Sequence, residues 1–156
     1  MLRLGTIVKD KVVGIPGMLT TYNIDMEGNE QYVFQPSSIN PETGVPTDVH
    51  WVVASRITGG VEIDKVLPVD VLSTQVEDKA TGFKGTAVCL YYYMNGCIHF
   101  DVKPKGVLEK TKTSIDAQHF DLRRLKGKAI KELTPEEFEK SLTEEPSPER
   151  LPRKRN

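Results

Sequence analysis

Cys97 and His99 stand two residues apart in YMNGCIHF, so on a strand they project from the same face. A thiol beside an imidazole could be a nucleophile and its base, but that chemistry also needs an orienting acid and shelter from water. No orienting acid is evident, and an exposed strand gives little shelter. Thr81-Gly82-Phe83-Lys84-Gly85 has the look of a phosphate loop without the spacing G-x-x-x-x-G-K-[ST]. It follows a strand-like run and does not open a helix, so it reads as a turn. His50 and His119 each precede an aromatic residue and read as structural side chains. No Cys-x-x-Cys or His-x-x-x-His spacing points to zinc. The expectation is a protein without catalytic residues, metal or cofactor.

The chain has 156 residues, 38% hydrophobic and 28% charged, with a formal net charge of −1. Nothing in that balance pulls it toward DNA or a membrane. Apolar runs are far too short for a membrane span, and MLRLGTIVKDKVVG lacks the pattern of a signal peptide, which points to the cytosol. A two-residue Asn95-Gly96 hairpin turn would put Cys89 opposite Val102 and Cys97 opposite Met94. The thiols would then be separated by roughly 16 Å along the strand. A disulfide needs Cα atoms within about 7 Å, so both cysteines should be free.

What must position these residues is a duplication. Residues 4–36 lie over 72–104 without a gap, at an offset of 68 with ten identities. They include Leu4/Leu72, Val8/Val76, Asp10/Asp78, Gly14/Gly82, Gly17/Gly85, Gly28/Gly96 and Pro36/Pro104. A one-residue adjustment aligns His50-Trp51 with His119-Phe120, after which Arg56/Arg124 return to the first offset. Glycines 14, 17, 82 and 85 read as turn punctuation, and Glu27-Gly28 and Asn95-Gly96 as hairpins. The fold expected is mostly β: two tandem SH3-like barrels over 3–66 and 70–127, an OB-like barrel being the nearest competitor. The link Gly60–Val71 should add a closing strand. Residues 128–156 form a charged tail with a short helix near 135–142, capped by Thr134-Pro135, and flexible chain beyond about 143.

With a two-residue turn, Cys89, Tyr91 and Tyr93 share the core face with Ile98, Phe100 and Val102. Leu90, Tyr92 and Met94 then face outward beside Cys97, His99 and Asp101, and Tyr22, Ile24 and Met26 do so in the first unit. An exposed apolar stripe marks a contact surface, for the other barrel, for a partner, or for a small ligand. Tyr92, His99, Arg56 and Arg124 could hold a nucleotide between aromatics and arginines. Charge is uneven: 4–66 carry −4, 103–131 carry +6 and 132–149 carry −6. The basic segment 103–131 could meet a nucleic-acid backbone, or be neutralised by the acidic tail.

The string V-x-D-x-x-T-G-F-x-G-x-A, then Y-M-N-G-C and a strand returning to K-P, resembles a family of small, mostly uncharacterised proteins of tailed bacteriophages. Residues 72–127 match at Asp78, Thr81-Gly82-Phe83, Gly85, Tyr93 to Cys97 and Pro104, while residues 4–60 match poorly. The resemblance implies a phage accessory protein in the cytoplasm of an infected bacterium, or a virion component. Such a protein would bind a host or phage protein, or itself as a homo-oligomer, in counter-defence or host takeover. The competing function is a sponge for a nucleotide signal, or a nucleic-acid-binding tandem barrel.

Overall fold

A computed structural model of the chain describes residues 1–131 and Glu136. The expected helix over 135–142 and the tail beyond it otherwise fall outside the described residues. The chain is mostly β, and no helix among the described residues reaches seven residues.

The first unit runs β1 (Ile7–Asp10), β2 (Pro16–Asp25), β3 (Glu30–Pro36) and β4 (His50–Val53), then a 3-10 turn (Ala54–Arg56) and β5 (Ile57–Thr58). The second repeats it: β6 (Gln75–Asp78), β7 (Lys84–Tyr93), β8 (Ile98–Lys103) and β9 (Gln118–Asp121), a 3-10 turn (Leu122–Arg124) and β10 (Leu125–Lys126). In each unit successive strands pair as an antiparallel meander, and the last strand returns to pair with the first.

The two units expected as tandem barrels share one antiparallel sheet, which is not closed. One ten-stranded sheet runs β10-β6-β7-β2-β1-β5, with β3-β4 and β8-β9 on the other edges of β2 and β7. Residues 16–18 of β2 pair with β1, and residues 21–25 pair with β7. That seam matches Thr21 to Tyr93, Asn23 to Tyr91 and Asp25 to Cys89. Since Tyr91 is the repeat equivalent of Asn23, a pseudo-two-fold axis passes between them. Two cores form on one face of this sheet, around Leu19, Tyr32 and Phe34 and around Leu90, Phe100 and Val102. Ile24, Leu67 and Tyr92 pack against both.

The hairpin loops hold three residues, not two. The Gly96 amide donates to the Tyr93 carbonyl, and the Tyr93 amide to the Cys97 carbonyl, with Gly96 at φ 86°. That is a type I turn closed by a left-handed glycine, and Asp25 to Asn29 around Gly28 repeat it. One extra loop residue shifts the pairing by one and turns a strand over. β3 and β8 present the expected faces, but β2 and β7 are reversed: Tyr22 and Leu90 are buried at 3% and 0% exposure. Leu90 therefore pairs with Phe100, and Tyr91 with His99. Bulges between Leu19 and Thr21, and between Ala87 and Cys89, let Leu19 and Ala87 reach the same core.

The offset of 68 holds throughout, so the one-residue adjustment at His50 is also corrected. Tyr32 pairs with Val52 as Phe100 pairs with Phe120, which makes His119 the equivalent of Trp51 and Gln118 that of His50. The bridge Ile39–Pro46 recurs at that offset as Val107–Ser114, and Lys112 at φ 55° stands where the first unit has Gly44. The link 60–71 adds no strand; it makes one bridge, Leu2–Glu62, and a 3-10 turn at Val69–Val71. Pro68, just before that turn, has no amide to offer a ladder.

Gly17 and Gly85 lie inside β2 and β7, not in turns. A Cβ on Gly85 would sit 2.4 Å from the Lys103 carbonyl oxygen, and one on Gly17 would sit 2.4 Å from the Phe34 ring. Gly85→Ala is expected to cost about 3 kcal/mol by forcing paired backbone apart, measured by urea unfolding. A loss below about 0.5 kcal/mol would show that the β7–β8 ladder tolerates the methyl.

A buried carboxylate closes each unit. The Arg124 Nε and Nη2 donate to the two Asp78 oxygens at 3.0 and 2.8 Å, and the Thr81 hydroxyl donates to Oδ2 at 2.6 Å. These bonds, Arg124 foremost, hold the Asp78 carboxyl at about 2, against an ordinary 3.8. Arg56 embraces Asp10 likewise; burial alone would raise Asp10, but Arg56, the Val12 amide and His50 keep it low. Because the folded value of Asp78 is depressed, its contribution is complete above about pH 3.8 and disappears as pH falls through 2. Arg124→Met should therefore move the acid-unfolding midpoint upward, followed by circular dichroism. An unchanged midpoint would mean that the pair does not secure the fold.

Candidate functional site

Reversing β7 puts its odd-numbered side chains on the face of the sheet away from the cores. Tyr91 and Tyr93 project there beside His99 and Asp101 of β8, His119 and Asp121 of β9, and Trp51 of β4. Trp51 lies edge-on to Tyr91 at 6.2 Å between centroids, reaching across the seam between units. Tyr91 and Tyr93 are stacked at 6.5 Å, His119 is 5.0 Å from Tyr91, and His99 is 5.1 Å from Tyr93. The two imidazoles are 4.8 Å apart.

The polar atoms form a chain. Tyr91 donates its hydroxyl to Asp101 Oδ2 at 2.8 Å, and Asp101 Oδ1 is 2.7 Å from His119 Nδ1. A carboxylate only accepts, so Nδ1 carries the proton and Nε2 is left to accept from the Tyr93 hydroxyl at 3.0 Å. The arrangement carboxylate–imidazole–hydroxyl has the connectivity of a nucleophile triad, but the hydroxyl is the wrong one. Burial, reinforced by the Asp101 charge, pushes the Tyr93 phenol up, and burial with the Asp101 hydrogen bond does the same to Tyr91. Both phenols stay protonated, and the hydrogen bonds hold the rings in place. Cys89 is buried and its thiol pushed up by that burial, which makes it a poor nucleophile.

His99 is the least satisfied member. Its Nδ1 is buried without a hydrogen bond among the described residues, and its Nε2 lies 3.7 Å from Asp121 Oδ2, beyond hydrogen-bond reach. Asp121 is held low chiefly by Arg123, whose Nε and Nη2 donate at 2.9 and 2.7 Å. Asp121 is thus the acid near Cys97 and His99 that the sequence did not reveal. It is 22 residues beyond His99 and meets it only through the β8–β9 pairing.

The residues expected to bind fall into four groups. Tyr22, Ile24, Leu90 and Tyr92 belong to the core face, Tyr22 donating its hydroxyl to Glu30 at 2.6 Å. Met26 and Met94, at the hairpin loops, are 46% and 54% exposed. Arg56 and Arg124 are paired with Asp10 and Asp78, and the Arg124 guanidinium lies 5.3 Å over the Phe120 ring. Of the expected set only His99 lies on the face away from the cores. Thr81 and Gly82 belong to the turn before β7, their amides both donating to Asp78, while Lys84 and Gly85 already lie in the strand.

The first unit supplies an internal control. At positions equivalent to Tyr91, Tyr93, Cys97, His99, Asp101 and Asp121 it has Asn23, Asp25, Asn29, Gln31, Val33 and Val53. The same strands form there without an aromatic network, so the network is not a requirement of the fold. The chain matches no protein-family model, no curated protein and no solved structure. No helix among the described residues is long and apolar enough to cross a membrane.

Burial first, and then the neighbouring His119 and Arg123, press the His99 imidazole below its ordinary 6.5, against the pull of Asp121. A folded value below the unfolded one means that stability from this group is complete above about pH 6.5 and falls as the solution is acidified. Proton NMR should show His99 titrating below an exposed histidine, and His119→Gln should move it upward. A His99 that titrates at 6.5 or above would contradict this placement.

Proposed function

We propose that the chain is a fused pair of SH3-like β-units that acts by binding a protein partner through its aromatic face, without turnover. The SH3-like reading rests on the order of elements: a four-strand meander, a 3-10 turn, and a short last strand returned to the first. Sharing β2 and β7 across the seam leaves each unit open on one side.

The observation that carries the binding reading is the concentration of Trp51, Tyr91, Tyr93, His99 and His119 on one face, with Trp51 44% exposed. Rigid aromatic side chains bury large area at little entropic cost and dominate protein interfaces. Asp101 and Asp121 stand among these rings. Carboxylates there repel a phosphate backbone and favour a partner that brings lysine or arginine to the rings. Within the basic segment 103–131, Arg123, Arg124 and Lys126 are already paired with Asp121, Asp78 and Glu77. The resemblance of 72–127 to short phage proteins suggests that the partner is met in an infected bacterium, as a host target or a virion component.

One observation favours the nucleotide reading. The Tyr91 and Tyr93 rings are within 19° of parallel with centroids 6.5 Å apart. Near-parallel aromatic rings are surfaces on which a base can stack.

Trp51 is the single tryptophan and touches Tyr91, so its fluorescence reports on this face. Mononucleotides and short oligonucleotides are expected to leave it unchanged. Replacing Trp51 and Tyr93 with alanine should keep the melting temperature within a few degrees. It should weaken association with a partner isolated from infected cells by about 2 kcal/mol or more. Saturable quenching by a nucleotide at micromolar concentration would transfer the function to the second reading.

A further inference from the structure

Cys97, His99 and Asp121 each offer a ligand atom, and these atoms lie within 4.8 Å of one another. We propose that they form a site for zinc or a similar borderline divalent cation, with a fourth position open to water or a partner's side chain. No spacing motif reveals it, because the ligands come from a hairpin loop, β8 and β9.

Thiolate, imidazole and carboxylate together suit zinc and are a poor set for magnesium or calcium, which take oxygen. Metal–ligand bonds of about 2.0–2.3 Å at tetrahedral angles place neighbouring ligand atoms about 3.3–3.8 Å apart. The 3.7 Å between His99 Nε2 and Asp121 Oδ2 is too long for a hydrogen bond and falls within that range. The rest of the closure falls to Cys97, which adjoins the loop just outside the β8 ladder. His99 Nε2 stops short of a hydrogen bond to Asp121 Oδ2, so a cation there would join two groups that the protein holds close without bonding.

Arg123 fits the same plan. Its backbone amide and Nε both donate to Asp121 Oδ1, at 2.8 and 2.9 Å. That grip orients the carboxylate and leaves Oδ2, once Nη2 gives way, to the metal. At the three equivalent positions the first unit has Asn29, Gln31 and Val53. None is a habitual zinc ligand, so all three substitutions needed to create or lose the site separate the two units. The proposal does not depend on the partner reading: a chelated protein that still binds its partner would leave that reading intact.

The test uses the full chain, reduced and stripped with chelator, then titrated with Co2+ as a spectroscopic probe and with Zn2+ in a calorimeter. The expected result is one equivalent bound at micromolar or tighter affinity, with a thiolate-to-cobalt charge-transfer band. Cys97→Asn, His99→Gln and Asp121→Val, each restoring the first unit's residue, should weaken zinc by about ten-fold or more, while Cys89→Ser changes nothing. In the unmutated protein, stoichiometric zinc should slow alkylation of Cys97, a readout independent of whether any variant folds. Absence of the band and of saturable heat, unslowed alkylation, or undiminished binding in Cys97→Asn would each overturn the site.

Discussion

The seam between β2 and β7 is the constraint from which the rest of the molecule follows. Each strand is ten residues long, and each would otherwise expose half an edge of unpaired amides and carbonyls. Antiparallel pairing about Asn23 and Tyr91 satisfies both edges at once, and the flanking Met26 and Met94 amides extend it to the Val88 and Thr20 carbonyls. The core side pools Ile24, Leu67 and Tyr92 between the two clusters. On the other side the seam makes one continuous surface from β9 to β4, which is how Trp51 of the first unit comes to Tyr91 of the second.

The ends of the units are held by the two carboxylates. Asp10 and Asp78 are fully buried, and a lone carboxylate there would be costly to desolvate. Each is placed by a turn that also offers it amides, and each is met by an arginine from the 3-10 turn 46 residues on. The pair therefore ties the first strand of each unit to its last. The second unit adds the Thr81 hydroxyl to this clasp, where the first has Val13 and draws on His50 at 3.7 Å instead.

The duplication, the mostly β character and the turn role of Gly14 and Gly82 were legible because they are written in residue identity. The faces of β2 and β7 were not. Asn95-Gly96 suits a two-residue turn, and only the Tyr93–Cys97 pairing distinguishes the three-residue loop that forms. A difference of one residue in a loop moves every side chain of a strand to the other face, so Tyr91 and Tyr93 passed as core and Leu90 and Tyr92 as surface. His50 and His119 are a similar case: a shared residue type suggests equivalence, whereas the strand partners Phe34 and Asp101 align His50 with Gln118 and His119 with Trp51. Asp121 could not be joined to His99 from sequence, because nothing local specifies which strand β9 will pair with.

What remains is an asymmetry within a symmetric scaffold. The pseudo-two-fold axis gives every backbone position of one unit a counterpart in the other, so the fold's demands on the two are nearly the same. The cores obey this, with Phe34 and Val102, or Tyr32 and Phe100, filling matched places. The outer face does not. Titratable and aromatic groups gather on the second unit, while the first offers mainly Asn, Gln and Val, together with the one Trp51 that leans across the seam. Packing does not require such a difference, and a buried imidazole nitrogen with no partner is a cost that packing would remove. The division leaves one unit a plain scaffold and gathers on the other the groups on which the proposed binding rests.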